Sequence, residues 1–170
     1  MKEEVVPPPS PELRRLRPLL GKWQTQAQTE DSILGPGVTV TSVEEFYWLD
    51  GGYFLVQSYE TIFGNESAQR GVNYWFHDAA AGTFRIIFFS NNGPFTEDGN
   101  QYEGEIVDGT LTFTGPARFQ YDLDPTGNVA TNEDGTVTVR WWLRDEHGHF
   151  QPWMRNVFRR VSEGTARTAS

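Results

Sequence analysis

Ser10-Pro11-Glu12-Leu13-Arg14-Arg15-Leu16-Arg17-Pro18-Leu19-Leu20-Gly21-Lys22-Trp23-Gln24-Thr25-Gln26-Ala27-Gln28-Thr29 contains one change of period, and that change decides the fold. Up to Leu20 the stretch reads as a short helix. Ser10 suits the cap, Pro11 the first helical position, and Glu12 faces the positive helix end. Leu13, Leu16 and Leu20 fall on one face at helical spacing. Pro18 weakens the last turn and Gly21 ends it. From Trp23 the period is two. Trp23, Thr25, Ala27 and Thr29 alternate with Gln24, Gln26, Gln28 and Glu30, which predicts a strand with a small-residue face and a polar face.

The rest of the chain repeats the strand pattern. Runs at about 22–31, 38–49, 53–63, 70–77, 83–90, 101–107, 110–114, 117–123, 135–145 and 149–161 read as strands. Asp50-Gly51-Gly52, Gly64-Asn65-Glu66-Ser67 and Asp108-Gly109 read as turns between them, and Asn91-Asn92-Gly93-Pro94 breaks the fifth. No second helical pattern occurs. Six Trp, six Tyr and twelve Phe sit largely in these runs, and that enrichment predicts an all-β chain. Roughly ten antiparallel strands at short, regular spacing close into a barrel or stack as a sandwich, and a single N-terminal helix favours a barrel with a plug. The expected domain is 10–162, between a proline-rich disordered tail at 1–9 and a polar disordered tail at 163–170.

Composition narrows the function. A formal charge of −9 repels phosphate backbones, so nucleic acid is not an expected partner. Without cysteine there is no disulfide, thiolate nucleophile or thiolate metal ligand. The N-terminus lacks the apolar core of a signal peptide, and no apolar run approaches the roughly 20 residues of a membrane span. The expectation is a soluble, cytoplasmic protein. No nucleophile elbow, phosphate loop or zinc-protease motif is present.

Gly21-Lys22-Trp23 at a helix-to-strand junction, followed only by strands, resembles the opening of calycin barrels: the lipocalins, the fatty-acid-binding proteins and their relatives. The Pro-Glu-Leu helix, the Gly-x-Trp and the hairpin turn Trp48-Leu49-Asp50-Gly51-Gly52 are similar to those of a bacterial lipocalin-like family of unknown function, over about the whole chain after Ser10. The resemblance implies an up-and-down, calycin-like barrel of roughly ten antiparallel strands, its base capped by the helix and Trp23 packed inside. It implies no particular chemistry.

The candidate site is the barrel interior. If Trp23 points inward, so do Thr25, Ala27 and Thr29, and a small lining leaves space. If the hairpin pairs Trp48 with Tyr53, then Phe46 faces Leu55 and Glu44 faces Gln57. Such a row, aromatic with a few polar groups, is how small-molecule pockets are lined. Trp23 is expected at the base, with Phe46, Trp48, Tyr53 and Trp75 as walls. Glu44, Gln57 and Arg155 are expected to meet polar groups of a ligand. Asn73, Trp75, His77, Arg85, Trp142 and Arg155 are candidates whose side depends on strand register. The bland alternative is a barrel simply filled by its aromatics.

The leading expectation is therefore a cofactor-free barrel that binds a small, largely apolar molecule. An alternative is a cofactor-independent cyclase or isomerase acting on a hydrophobic, natural-product-like substrate, with Glu44 or His77 as acid or base. Another is a heme barrel. The heme-binding nitrobindins share this barrel type and use a histidine ligand, but Gln24-Thr25-Gln26-Ala27 stands where their further glycines would be. His147 and His149 flank Gly148 and read as exposed turn residues. Asp122, Asp124, Thr126 and Glu133 match calcium-loop spacing, yet their flanks are strand-like, and the stretch reads as a hairpin loop without metal. Exposed barrel aromatics such as Tyr47 can support a homodimer.

Overall fold

Leu13, Leu16 and Leu19 are the leucines that the opening segment buries. A spacing of three matches the three residues per turn of a 3-10 helix. In the computed structural model, which describes residues 5–92 and 99–161, Pro11–Leu19 forms such a helix. The expected face of Leu13, Leu16 and Leu20 is corrected accordingly. Pro18 has no N–H to donate to a preceding carbonyl, so the last turn is held by fewer backbone bonds. Ser10 makes no side-chain cap. Its hydroxyl instead lies 2.7 Å from Nδ1 of His77, tying the start of the helix to the barrel wall. Ser10→Ala should lower stability by about 1 kcal/mol, the usual net worth of such a bond. A urea midpoint equal to wild type would show that the tie contributes nothing.

Ten strands follow: β1 Gly21–Gln28, β2 Thr39–Trp48, β3 Leu55–Phe63, β4 Gln69–Asp78, β5 Thr83–Ser90, β6 Gln101–Val107, β7 Thr110–Thr114, β8 Ala117–Asp122, β9 Val137–Arg144 and β10 Phe150–Arg160. Each pairs antiparallel with its neighbour in sequence, and β1 closes on β10, so the sheet is a closed up-and-down barrel. No helix among the described residues is long and apolar enough to cross a membrane. Residues 1–4, 93–98 and 162–170 lie outside the description, and with them the whole of the expected polar tail, the Met1–Glu4 part of the proline-rich tail and Gly93-Pro94. Of the tail that is described, Pro7 accepts a 2.6 Å hydrogen bond at its carbonyl from the Tyr53 hydroxyl.

Gly21 and Trp23 join helix to barrel. Gly21 has φ +116°, and a Cβ there would run into the Arg160 guanidinium. That group donates to the carbonyls of Leu20 and Pro18, which end the helix, and lies 4.2 Å above the Trp23 ring. Trp23 itself is 1% exposed and donates its indole N–H to Leu19 O at 2.7 Å. The Gly-x-Trp motif thus lets one arginine, from the last strand, clamp helix end and ring together.

Two local irregularities set which side chains face inward. The β2–β3 connection is longer than the expected Asp50-Gly51-Gly52 turn. Leu49 N bonds Phe54 O, Gly52 N bonds Leu49 O, and Gly51 and Gly52 both take positive φ. The register is therefore Trp48 opposite Leu55, Phe46 opposite Gln57 and Glu44 opposite Tyr59, two residues from the expected pairing. A shift of two preserves the face of every side chain. In β10 the pairing with β9 slips between Pro152 and Met154. A bulge of one residue reverses the alternation. Trp153 is buried, and after the bulge so are Asn156 and Phe158, while Arg155 is exposed.

Candidate functional site

The lower part of the barrel is packed solid. Trp75 meets Phe46, Phe113, Phe119 and Tyr121 edge-on at centroid distances of 5.1–6.2 Å, above the helix leucines and Trp23. Above this layer the interior is open. A cavity of about 630 Å³ is lined from β2, β3, β4, β5, β6, β8, β9 and β10 and by the β1–β2 connection. Leu34 lines it and is 72% exposed, which puts that connection at the mouth. Both the pocket and the filled core of the sequence reading are present, stacked along one axis.

Alternation brings polar side chains of β2, β3 and β4 to one patch of the cavity wall. Glu44 Oε1 accepts from the Ser42 hydroxyl at 3.1 Å, and Oε2 accepts from Gln57 Nε2 at 2.6 Å. With its proton on Glu44, Ser42 accepts in turn from Thr61 at 2.8 Å. Gln57 Oε1 receives both the Trp75 indole N–H at 3.0 Å and Asn73 Nδ2 at 2.8 Å. These orientations are forced. An indole N–H can only donate, so Gln57 must turn its oxygen to Trp75 and its nitrogen to Glu44. Asn73 must then give its nitrogen to Gln57, and its oxygen is left buried with no partner.

Burial pushes the Glu44 carboxyl up from 4.5 to about 6, with the Gln57 and Ser42 hydrogen bonds opposing part of the rise. The barrel wall encloses Glu44, and its partial exposure is toward the cavity it lines. Burial, and then the Glu44 charge, raise Tyr59 and Tyr121 above the ordinary phenol range. Tyr102 is pushed up to about 12, mainly by burial. Gly71 leaves room for this arrangement, since it sits opposite Tyr59 and a Cβ on it would occupy the place of the Tyr59 hydroxyl.

Of the residues expected from sequence, Glu44, Gln57, Asn73 and Trp75 line the cavity together. Trp23 and Phe46 lie in the packed layer, and Trp48 packs against that core. Three placements are corrected. Tyr53 lies in the β2–β3 loop, 38% exposed, because β3 starts two residues later than expected. Arg155 faces solvent because of the β10 bulge. His77 is held by Ser10 and by an edge contact with Phe84 at 4.9 Å, and it is not among the cavity residues. Arg85 pairs with Asp78 at 3.5 Å and, like Trp142, does not line the cavity. Ser42, Tyr59, Tyr121, Trp141 and Asn156 do, and were missed as site residues. The signal for Ser42 and Tyr59 was their shared parity with Glu44 and Gln57. Nothing in the alternation announces Asn156, which needs the bulge.

Tyr47 faces outward and is 44% exposed. His147 and His149 are exposed at a hairpin tip, their rings 6.4 Å apart. Asp122 bonds Arg140, and Asp124 Oδ1 accepts from the backbone N–H groups of Thr126 and Asn128, closing its own turn. Among the described residues, no three His, Cys, Asp or Glu side chains are grouped to hold a metal ion. A histidine-ligated heme does not fit this cavity, since no histidine is among its described lining residues.

No family model matches the sequence, and no curated protein is significantly similar to it. Solved structures are similar in fold. The crystal structure of Rv2717c from M. tuberculosis superposes with a TM-score of 0.59 at 15% identity, covering 90% of this chain and 99% of that one. The S-type phycobiliprotein lyase CPES from Guillardia theta superposes with a TM-score of 0.52 at 11% identity, covering 87% and 91%. The class these observations define is a closed, ten-stranded antiparallel up-and-down barrel with an internal cavity.

Proposed function

We propose that this protein binds a small, largely apolar molecule inside the barrel. The observation that carries this reading is the cavity of about 630 Å³, whose aromatic wall is interrupted by one hydrogen-bonded polar patch around Glu44. Volumes of several hundred Å³ and a few convergent polar groups in an apolar wall are what drug-sized ligands require. Native mass spectrometry of the freshly purified protein, against a denatured control, tests it. A retained mass that disappears on denaturation is the expected result. No retained mass, together with an unchanged melting temperature across a panel of apolar probes, would overturn it.

A second reading is favoured by one specific feature. A carboxyl with a pKa of about 6 inside an apolar cavity can take and return a proton near neutral pH. With a hydrophobic substrate held against it, Glu44 would serve a cofactor-independent cyclisation or isomerisation. One fold neighbour is named as a lyase, so a barrel of this kind accommodates an enzyme. For a substrate found by the retained mass, a rate that survives Glu44→Gln unchanged would remove this reading.

A further inference from the structure

We propose that the occupant of the cavity carries a hydrogen-bond-donating, cationic end, a hydrophobic amine, and that carboxylates and phosphates are excluded. This rests on the reading of the cavity as a small-molecule site and names the class of molecule.

The first observation is the sign of the wall. Its described residues include two acids, Glu44 and Glu66, and no lysine, arginine or histidine. Glu66 is exposed, whereas Glu44 is enclosed and receives only neutral donors, Ser42 and Gln57. A carboxylate has about four lone-pair sites, so two donors leave roughly half its capacity for an occupant. A buried carboxylate without a cation is an uncompensated charge, and a ligand ammonium would compensate it. A ligand carboxylate would instead place a second negative charge beside Glu44 with nothing to neutralise either.

The second observation is independent of charge. Asn73 Oδ1 and Asn156 Oδ1 are buried acceptors without partners, on side chains that line the same cavity. Asn156 is 5% exposed, and the orientation of Asn73 is fixed by the Trp75–Gln57 bond. Both oxygens lie beneath the cavity surface and meet an occupant only when their side chains shift; an occupant that provokes this must bring donors, and an ammonium group offers three while a carboxylate offers none. One buried donor without a partner, Trp141 Nε1, belongs to another lining residue and would suit a single ether or carbonyl oxygen. The aromatic lining, Trp75, Phe119 and Trp141 among it, accepts an apolar body.

The groups facing Glu44 are Ser42 on its own strand, Gln57 and Tyr59 on β3, and Tyr121 on β8. With both tyrosines raised, Glu44 is the group among these that titrates near neutral pH. The test is a tryptophan-fluorescence and calorimetric titration with three matched probes: naphthalene bearing an aminomethyl, a hydroxymethyl or a carboxylate group. At about pH 7.5 the amine should bind about tenfold tighter than the alcohol, the yield of one charge-assisted hydrogen bond, and the carboxylate weakest. The preference for the amine should vanish in Glu44→Gln and shrink at about pH 5 in the wild type, where Glu44 is protonated. The pH arm decides even if the variant does not fold. A carboxylate that binds as well as the amine, or a preference that survives both Glu44→Gln and acid, overturns the amine assignment while leaving the cavity a binding site. Failure of all three probes to bind or to shift the melting temperature removes the binding reading itself.

Discussion

Trp23→Ala should destabilise the protein by about 4 kcal/mol, in the upper range for deleting a fully buried aromatic side chain. Three losses coincide at this position. The indole fills space among the helix leucines and Phe158, whose ring centroid lies 6.3 Å away. Its N–H satisfies the Leu19 carbonyl at the end of the helix. Its face carries the Arg160 guanidinium, which in turn binds the carbonyls on either side of Leu19, those of Pro18 and Leu20. Removing the ring therefore loosens the plug as well as the core. Equilibrium unfolding in urea measures the effect, and Trp23→Phe separates the contributions. The phenyl ring restores most of the packing but not the hydrogen bond, so it should recover more than half of the loss. A Trp23→Ala midpoint within the error of wild type would mean that the helix does not close the barrel as described.

Glu44→Gln should act in the opposite direction, and only above a certain pH. The Glu44 pKa is raised from 4.5 to about 6 in the folded protein. The folded state thus holds the proton more tightly than the unfolded chain does. The stability this provides is fully present below pH 4.5 and is lost as the pH rises through about 6. At neutral pH the wild type bears the full penalty of an enclosed charge, at most about 2 kcal/mol for a shift of this size and less in so far as the cavity hydrates the carboxyl. Glutamine can turn its oxygen to Gln57 Nε2 and its NH2 to Ser42, whose hydroxyl then accepts and donates to Thr61 instead, and it carries no charge. The variant should therefore be more stable than wild type at about pH 7.5 and equal to it at about pH 4. Thermal denaturation across that range checks both. A variant destabilised equally at all pH values would show that Glu44 is structural and that its charge bears no cost. Holding a destabilising carboxylate at this position is understandable if a ligand supplies its counter-charge.

Several parts of the site were legible for a simple reason. Side chains alternate across a strand whatever the strand pairs with, so Glu44 fell with Phe46 and Gln57 with Leu55, and Asn73 fell with Trp75, although which side that last pair took needed the register. The hairpin register was off by two residues, and because two is a full period the inward set was unharmed. Tyr53 was lost to the same displacement, being too close to the turn to stay in a strand. Arg155 was lost to a single extra residue in β10, which reversed the alternation and brought in Asn156 instead. The Ser10 hydroxyl was read as a cap on local grounds, but a residue 67 positions away, His77, took it.

The sequence by itself determined the all-β class, the order and number of the strands, the N-terminal plug and which side chains of each regular strand share a face. All of these follow from periods of two or three residues and from turn chemistry, which are local. Only the tertiary structure decided where the bulge falls, how far apart opposite walls stand, and which polar groups are left without partners. Those depend on closure of β1 onto β10. The closed ring sets the diameter that its side chains must fill, and near the helix they fill it. Around Glu44 they do not, and no pattern along one strand can report the space left between eight.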